Sequence, residues 1–319
     1  MISKIGNLKD YVVIITGANG FIGRSLVKKL LECSTSVIAL DLDNNFVGPV
    51  EANYQNNFSY LSGALTENLD TALEVKKSKR KLKSALFHLS GMSSVDQCKS
   101  QPDKAYEVNT FQTLFVLDRC KNNNVGKFIF PSTGQVYGDQ LFEPANERQQ
   151  LSPASIYAST KLAAEIIIQS YIKNYAMDCI ILRMANVYGP NSNTKSIIGT
   201  LIQHIKKKEI IQIHDNTPVR DFIYIDDIID GLICALQLEK SEESIFNLSS
   251  GACISIDYLV NTILEMTSYD RNMLSITHPS EKCTSSIILN HDLFSKTTDW
   301  RPKYSLNEGL KSILKIIAQ

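Results

Sequence analysis

Apolar and polar positions fall along this chain in blocks of two kinds. Tyr11-Val12-Val13-Ile14-Ile15 is a continuous, β-branched run, which reads as a strand buried on both faces. Comparable strand candidates lie at 36–41, 58–61, 84–89 and 126–131. Between and after them, helical patterns cover 21–33, 66–79, 102–122 and 155–174. Cys179-Ile180-Ile181-Leu182-Arg183 adds another buried strand. This alternation predicts an α/β fold: a doubly wound parallel sheet, covered by helices on both faces and joined by right-handed crossovers. Beyond Arg183 the rhythm changes. Asn191 to Lys195 is a polar loop, Lys206-Lys207-Lys208 closes a helix, and Ile210 to His214 is a short strand. Two more helices are expected near 255–267 and 305–317. No internal repeat or low-complexity tract is visible.

The first strand runs into Thr16-Gly17-Ala18-Asn19-Gly20-Phe21-Ile22-Gly23, and a helix follows. Strand, glycine turn and helix make a Rossmann-type dinucleotide site. The glycines let the backbone turn tightly and approach a pyrophosphate, whose charge meets the free N–H groups at the helix start. Asp41 ends the second strand, where a carboxylate can accept hydrogen bonds from the adenine ribose hydroxyls. It would repel the extra phosphate of NADP, and no Lys or Arg follows before Glu51, so NAD is the expected cofactor. Tyr157 and Lys161 form the second constellation. Four residues apart on a helix they share a face, and the ammonium is expected to favour the phenolate and lower its pKa. Alone, Tyr157 would read as a packing residue. Beside Lys161, after Pro153-Ala154-Ser155 and behind a dinucleotide turn, it reads as an acid/base.

Composition narrows the field by exclusion. With 319 residues the chain suffices for one large or two modest domains. Lys+Arg 33 balances Asp+Glu 33, so no basic bias points to nucleic acid or an anionic membrane. The basic run Lys76 to Lys83 reads as a solvated helix face. Seven Cys without a CxxC spacing suggest neither zinc nor a disulfide framework, and reduced thiols suit the cytoplasm. His88, His204, His214, His278 and His291 show no ligand spacing, so no metal is expected. The N-terminus lacks a signal-peptide apolar core, and no apolar run reaches the roughly 18 residues of a membrane span.

Further motifs are spread in order through the chain. They are Phe87-His88-Leu89-Ser90-Gly91, Asn109 with Thr113, Pro131-Ser132-Thr133-Gly134-Gln135-Val136-Tyr137-Gly138, and Leu182-Arg183 to Asn186-Val187-Tyr188-Gly189-Pro190. Arg220-Asp221-Phe222-Ile223-Tyr224-Ile225-Asp226-Asp227 follows, then Trp300 with Pro302 and Gly309-Leu310. With the glycine turn and the Tyr-Lys pair, this set resembles the extended short-chain dehydrogenases/reductases, the NAD-dependent nucleotide-sugar epimerases and dehydratases. The resemblance covers almost the whole chain. It implies an NAD-binding Rossmann domain over 1–182, with 219–248 returning to it, and a smaller C-terminal α/β substrate-binding lid built mainly from 183–319.

The resemblance also implies roles. Thr133, Tyr157 and Lys161 would be catalytic. Gly17, Asn19, Gly20, Phe21, Ile22, Gly23, Asp41, Leu89, Ser90, Gly91 and Asn109 would hold the cofactor, with Tyr157 and Lys161. Thr133, Asn186 and Arg220 would meet the nucleotide sugar, while Arg183 is structural. The helices 102–122 and 155–174 would pair across a homodimer. Four departures stand out. Ala64 replaces an Asp expected near the adenine, Tyr224 replaces a His, and Lys282 is the only cation between Ile276 and Asn290, where an Arg is usual. Gly134-Gln135 replaces the Asp-Glu of 4,6-dehydratases and the Glu of UDP-glucuronate decarboxylases, and an amide is no acid/base at neutral pH. Epimerisation at sugar C4 through a transient 4-keto intermediate is the leading expectation. The alternative is an NAD(P)H-dependent reductase of a 4-keto-6-deoxy nucleotide sugar, as in deoxysugar, O-antigen or other polysaccharide biosynthesis. A non-catalytic dinucleotide sensor is the remaining reading, and intact Thr133, Tyr157 and Lys161 argue against it.

Overall fold

The computed structural model describes residues 7–48, 51–79, 81–139, 144–192, 196–277 and 286–317. Lys195, His278 and Lys282 lie outside the described residues. The first half runs β1 (Tyr11–Thr16), α1 (Phe21–Glu32), β2 (Ser36–Asp41), β3 (Phe58–Ser62), α2 (Leu65–Ser78), β4 (Lys83–His88) and α3 (Val95–Ser100). It continues with α4 (Pro102–Tyr106), α5 (Gln112–Asn122), β5 (Lys127–Thr133), α6 (Ile156–Tyr175) and β6 (Cys179–Met184). Then come β7 (Asn186–Tyr188), α7 (Ile197–Lys207), β8 (Ile211–Ile213), β9 (Val219–Arg220), β10 (Phe222–Tyr224), α8 (Ile225–Gln237) and β11 (Ile245–Leu248). The chain closes with β12 (Ile254–Ser255), α9 (Ile256–Thr267), β13 (Leu274–Ile276), β14 (Ser286–Ile287), α10 (Asp292–Thr298) and α11 (Leu306–Ile317).

Seven strands form one parallel sheet in the order β3-β2-β1-β4-β5-β6-β11. The chain direction across the sheet reverses between β1 and β4. Carboxyl ends of strands at such a switch point open a crevice, and the glycine turn sits there. Successive side chains of β1 point to opposite faces. Val13 and Ile15 join the core under α1 and α8, while Val12 and Ile14 join the core under α2, α5 and α6. Burying each such side chain contributes on the order of 1.5–3 kcal/mol, which fixes the sheet between its two helical layers.

Two sequence expectations change in detail. The helix expected over 102–122 is not one α-helix: a π turn over Glu107–Phe111 separates α4 from α5. Periodicity cannot reveal one extra residue in a turn, because the apolar stripe resumes after it. The basic run at Lys76 to Lys83 is only partly a solvated face. Lys76 Nζ donates to the carbonyls of Asn123 (2.8 Å) and Asn124 (3.1 Å), just past the end of α5, where carbonyls lack helical partners. Outside the main sheet, β7 pairs with β10, β8 with β13, and β9 with both β12 and β14. These pairs carry Asn186 and Arg220 to the carboxyl side of β5 and β6.

Candidate active site

The glycine turn is held by steric fit. Gly17 has φ +70°, and a Cβ there would stand 2.6 Å from the Ser90 nitrogen, so the turn lies directly against the end of β4. A Cβ on Gly23 would come within 2.3 Å of the Gly17 carbonyl, so only glycine lets α1 start this close. Gly20 caps α1 without a side-chain hydrogen bond, and Phe21 and Ile22 open its first turn. No side chain therefore caps the N–H groups of that turn, the arrangement an anion-binding helix start needs. Asp41 accepts from the Asn19 amide (2.8 Å) and from the Leu42 amide (2.7 Å). The Asn19 side chain donates to Asp43 (3.2 Å), to the Asn45 carbonyl and to Tyr60. Turn and acidic loop thus form one unit. Asp43 and Tyr60 were missed in the sequence because loop contacts of this kind have no fixed spacing.

Ala64 caps α2 with no side-chain hydrogen bond, in the place where the acidic residue was expected. Leu89 and Ser90 leave β4 through amide hydrogen bonds to Thr16 (3.1 Å to its carbonyl and 3.3 Å to its hydroxyl). His88 is buried beneath them, with Nδ1 2.8 Å from the Thr16 hydroxyl, and burial together with Lys161 pushes its pKa to about 3. Asn109, set in the π turn, accepts from the Met92 amide (2.7 Å) and donates to the Met92 carbonyl and the Thr160 hydroxyl. A Cβ on Gly91 would come within 3.0 Å of the Asn109 amide oxygen. Asn109 therefore holds the 89–92 loop against α6.

The chemistry gathers where β5 ends and α6 begins. Ser155 caps α6 by accepting from the Ala158 amide at 3.1 Å, which presents Tyr157 in the first turn and Lys161 in the second. Thr133 is the last residue of β5, accepts from the Gln135 amide (3.2 Å) and hydrogen-bonds the Tyr157 phenol. The structure corrects one expectation here. Lys161 does not lower the Tyr157 pKa; burial, with a smaller push from Cys98, raises it to about 12 against the opposing Thr133 hydrogen bond. Burial outweighs the partner, and the Lys161 ammonium rests over the Phe130 ring at 4.1 Å. Lys161 itself is pushed down to about 8 by burial, with Glu165 acting upward.

Beside Thr133 lies a cavity of about 260 Å³, lined among others by Val95, Gly134, Gln135, Asn186, Arg220 and Ile287. Asn186 is fixed by two hydrogen bonds to the Asp221 carbonyl, both 3.0 Å, and Arg220 donates to the Val219 carbonyl (2.8 Å). Asp221 is buried and accepts from Ser250 and Gly251, while burial pushes it up to about 6, so it anchors β9 and β10 to the 250 loop. A side chain on Gly134 would strike Leu289, whose Cδ1 stands 2.8 Å from the Cβ position. Leu289 fills that space from a distant segment, which explains why sequence reading did not find it.

A glycine cradle that excludes any Cβ, an open helix start and an acidic strand end fit a dinucleotide. Comparison with known proteins agrees. The family described as NAD dependent epimerase/dehydratase matches residues 13–249. The chain belongs to this family. Its relatives include a UDP-glucuronate 4-epimerase of Thermodesulfobacterium geofontis, 30% identical over 312 residues and covering 93% of both chains. A dTDP-4-dehydro-6-deoxyglucose reductase of Escherichia coli is 26% identical over 317 residues, covering 96% of this chain and 97% of the relative. The solved UDP-glucose 4-epimerase of Thermotoga maritima, with UDP-glucose, superposes with a TM-score of 0.84 at 26% identity, covering 96% and 98% of the two chains. Family membership makes NAD the cofactor and bears out the Rossmann-type fold. Among the described residues, no group of three or more His, Cys, Asp or Glu is placed to hold a metal, and no helix is long and apolar enough to cross a membrane.

Proposed function

We propose that this protein is an NAD-dependent epimerase of a nucleotide sugar, acting at sugar C4 through a transient 4-keto intermediate. The observation that carries the reading is the hydrogen bond between Thr133 and Tyr157, with Lys161 one turn further along α6, and Thr133 lining a cavity whose described lining holds amides and one guanidinium but no carboxylate. Such a site can move a proton at a hydroxyl, and it lacks the second acid that eliminating water would need. Tyr157 would take the proton of the C4 hydroxyl and return it after the sugar turns. The Thr133 hydroxyl would hold that oxygen, and Lys161 would hold the nicotinamide ribose. Arg220 and Asn186 would meet the diphosphate. Gly17, Asn19, Gly20, Phe21, Ile22, Gly23 and Asp41 would hold NAD, with Leu89, Ser90 and Gly91 at its nicotinamide half. Bound NAD supplies the site with a hydride acceptor that can give the hydride back.

The reductase of a 4-keto-6-deoxy nucleotide sugar is the second reading, favoured by the likeness to the E. coli reductase. A reductase consumes its cofactor and an epimerase does not. Mass spectrometry of the nucleotide released on denaturing freshly purified protein separates them. Stoichiometric NAD is expected; protein empty of cofactor, or carrying NADPH, transfers the assignment to the reductase. The chain is also proposed to act as a homodimer through α5 and α6.

A further inference from the structure

Glu165 stands on α6 two turns beyond Tyr157 and one turn beyond Lys161, on the same face, and is fully buried. Its carboxylate joins three elements. Ser132, the neighbour of Thr133 at the end of β5, donates its hydroxyl to Oε1. Arg183 of β6 grips the carboxylate from the other side, with Nε at 3.3 and 3.1 Å and a terminal nitrogen at 2.7 Å. Arg183 also donates to the Tyr137 hydroxyl (3.0 Å), which donates to Asn247 of β11 (2.8 Å). A buried ion pair commonly adds no net stability over apolar residues of the same volume, so stability alone does not account for this one.

We propose that Glu165 is a positioning residue for the catalytic pair: its carboxylate clamps the strand that ends in Thr133 to the helix that carries Tyr157 and Lys161, and supplies the negative charge that keeps the buried Lys161 an ammonium. The proposal rests on the acid/base reading of that pair. Among the described residues, Glu165 is the negative group that acts on Lys161. His88 of β4 is neutral, Tyr157 on α6 is a protonated phenol, and Phe130 of β5 offers only its ring face. Arg183 of β6 opposes part of the Glu165 field. Burial lowers the Lys161 pKa and Glu165 raises it. Removing the Glu165 charge therefore drives the Lys161 pKa further down. Merely loosening the packing would admit water and move it up toward the ordinary lysine value. The two explanations differ in sign.

The test is competitive amine labelling of Lys161 across pH, read by mass spectrometry of its peptide, in the protein as purified, with wild type and variants compared at the same NAD content. The variants are Glu165→Gln and the double variant Glu165→Gln with Arg183→Met, which removes both charges and keeps the test alive if the single variant misfolds. Wild type sets the reference inflection, which burial holds below the ordinary lysine value. Glu165→Gln should titrate about one pH unit lower, a roughly tenfold change in the equilibrium at fixed pH, and the double variant lower by less, because the opposing Arg183 charge is removed with it. An inflection unchanged or shifted upward overturns the proposal. The acid/base reading fails separately, if Tyr157→Phe keeps its turnover.

Discussion

Tyr157 carries the proton transfer in this account, and its surroundings define what its removal should do. Tyr157→Phe deletes one oxygen at the end of β5 and leaves the glycine turn, Asp41 and Lys161 untouched. Turnover should fall by roughly a thousandfold, the scale of a lost general acid/base, with NAD content unchanged. Steady-state assay and nucleotide analysis of one preparation check both halves. A variant that keeps most of its activity removes Tyr157 from the mechanism. The protonated state of the phenol at neutral pH adds a requirement that the Tyr-Lys spacing did not disclose. Lys161 alone does not ionise Tyr157 here. Oxidised NAD, if held by the glycine turn and Lys161, would bring a further positive charge toward Tyr157.

At the scale of elements, α6 has two unlike faces. Tyr157, Lys161 and Glu165 recur every fourth position toward β5, while Ile166 lies 59% exposed on the outside. On the elements packed beside α6, Phe111 in the π turn is 63% exposed and Leu114 of α5 38% exposed. Exposed large apolar side chains on neighbouring elements suit burial against a second copy of the chain, since a twofold contact is self-complementary. Light scattering should give a dimer mass for wild type and a monomer mass for the pair Phe111→Glu with Ile166→Glu. A monomeric wild type sinks the dimer. The helices themselves were legible from periodicity; which residues point outward was not, because the core stripe and the outer patch are both apolar. The π turn was hidden for a related reason: one added residue re-aims Asn109 without changing the composition.

At the scale of the whole molecule, what sequence revealed and what it hid divide by range. The glycine turn, Asp41 and the Tyr-Lys pair are local patterns, and each lies where a strand of the sheet ends or a helix begins. The buried Glu165–Arg183 pair, the Leu289 side chain packed over Gly134 and the anchoring of Asp221 join residues 18 or more apart, and a sequence does not print such distances. The two- and three-residue strands that bring Asn186 and Arg220 to the cavity are too short for any period to show. The glycine turn at the switch point and Thr133 at the end of β5 lie on the same carboxyl edge of one parallel sheet, so a single reaction tests them together. UDP-hexoses deuterated at C4, incubated with the protein and no added cofactor, should yield the C4 epimer with the label still at C4, as seen by NMR. Loss of the label, or absence of any epimer while a 4-keto-6-deoxy sugar is reduced at the expense of added NAD(P)H, would contradict the account.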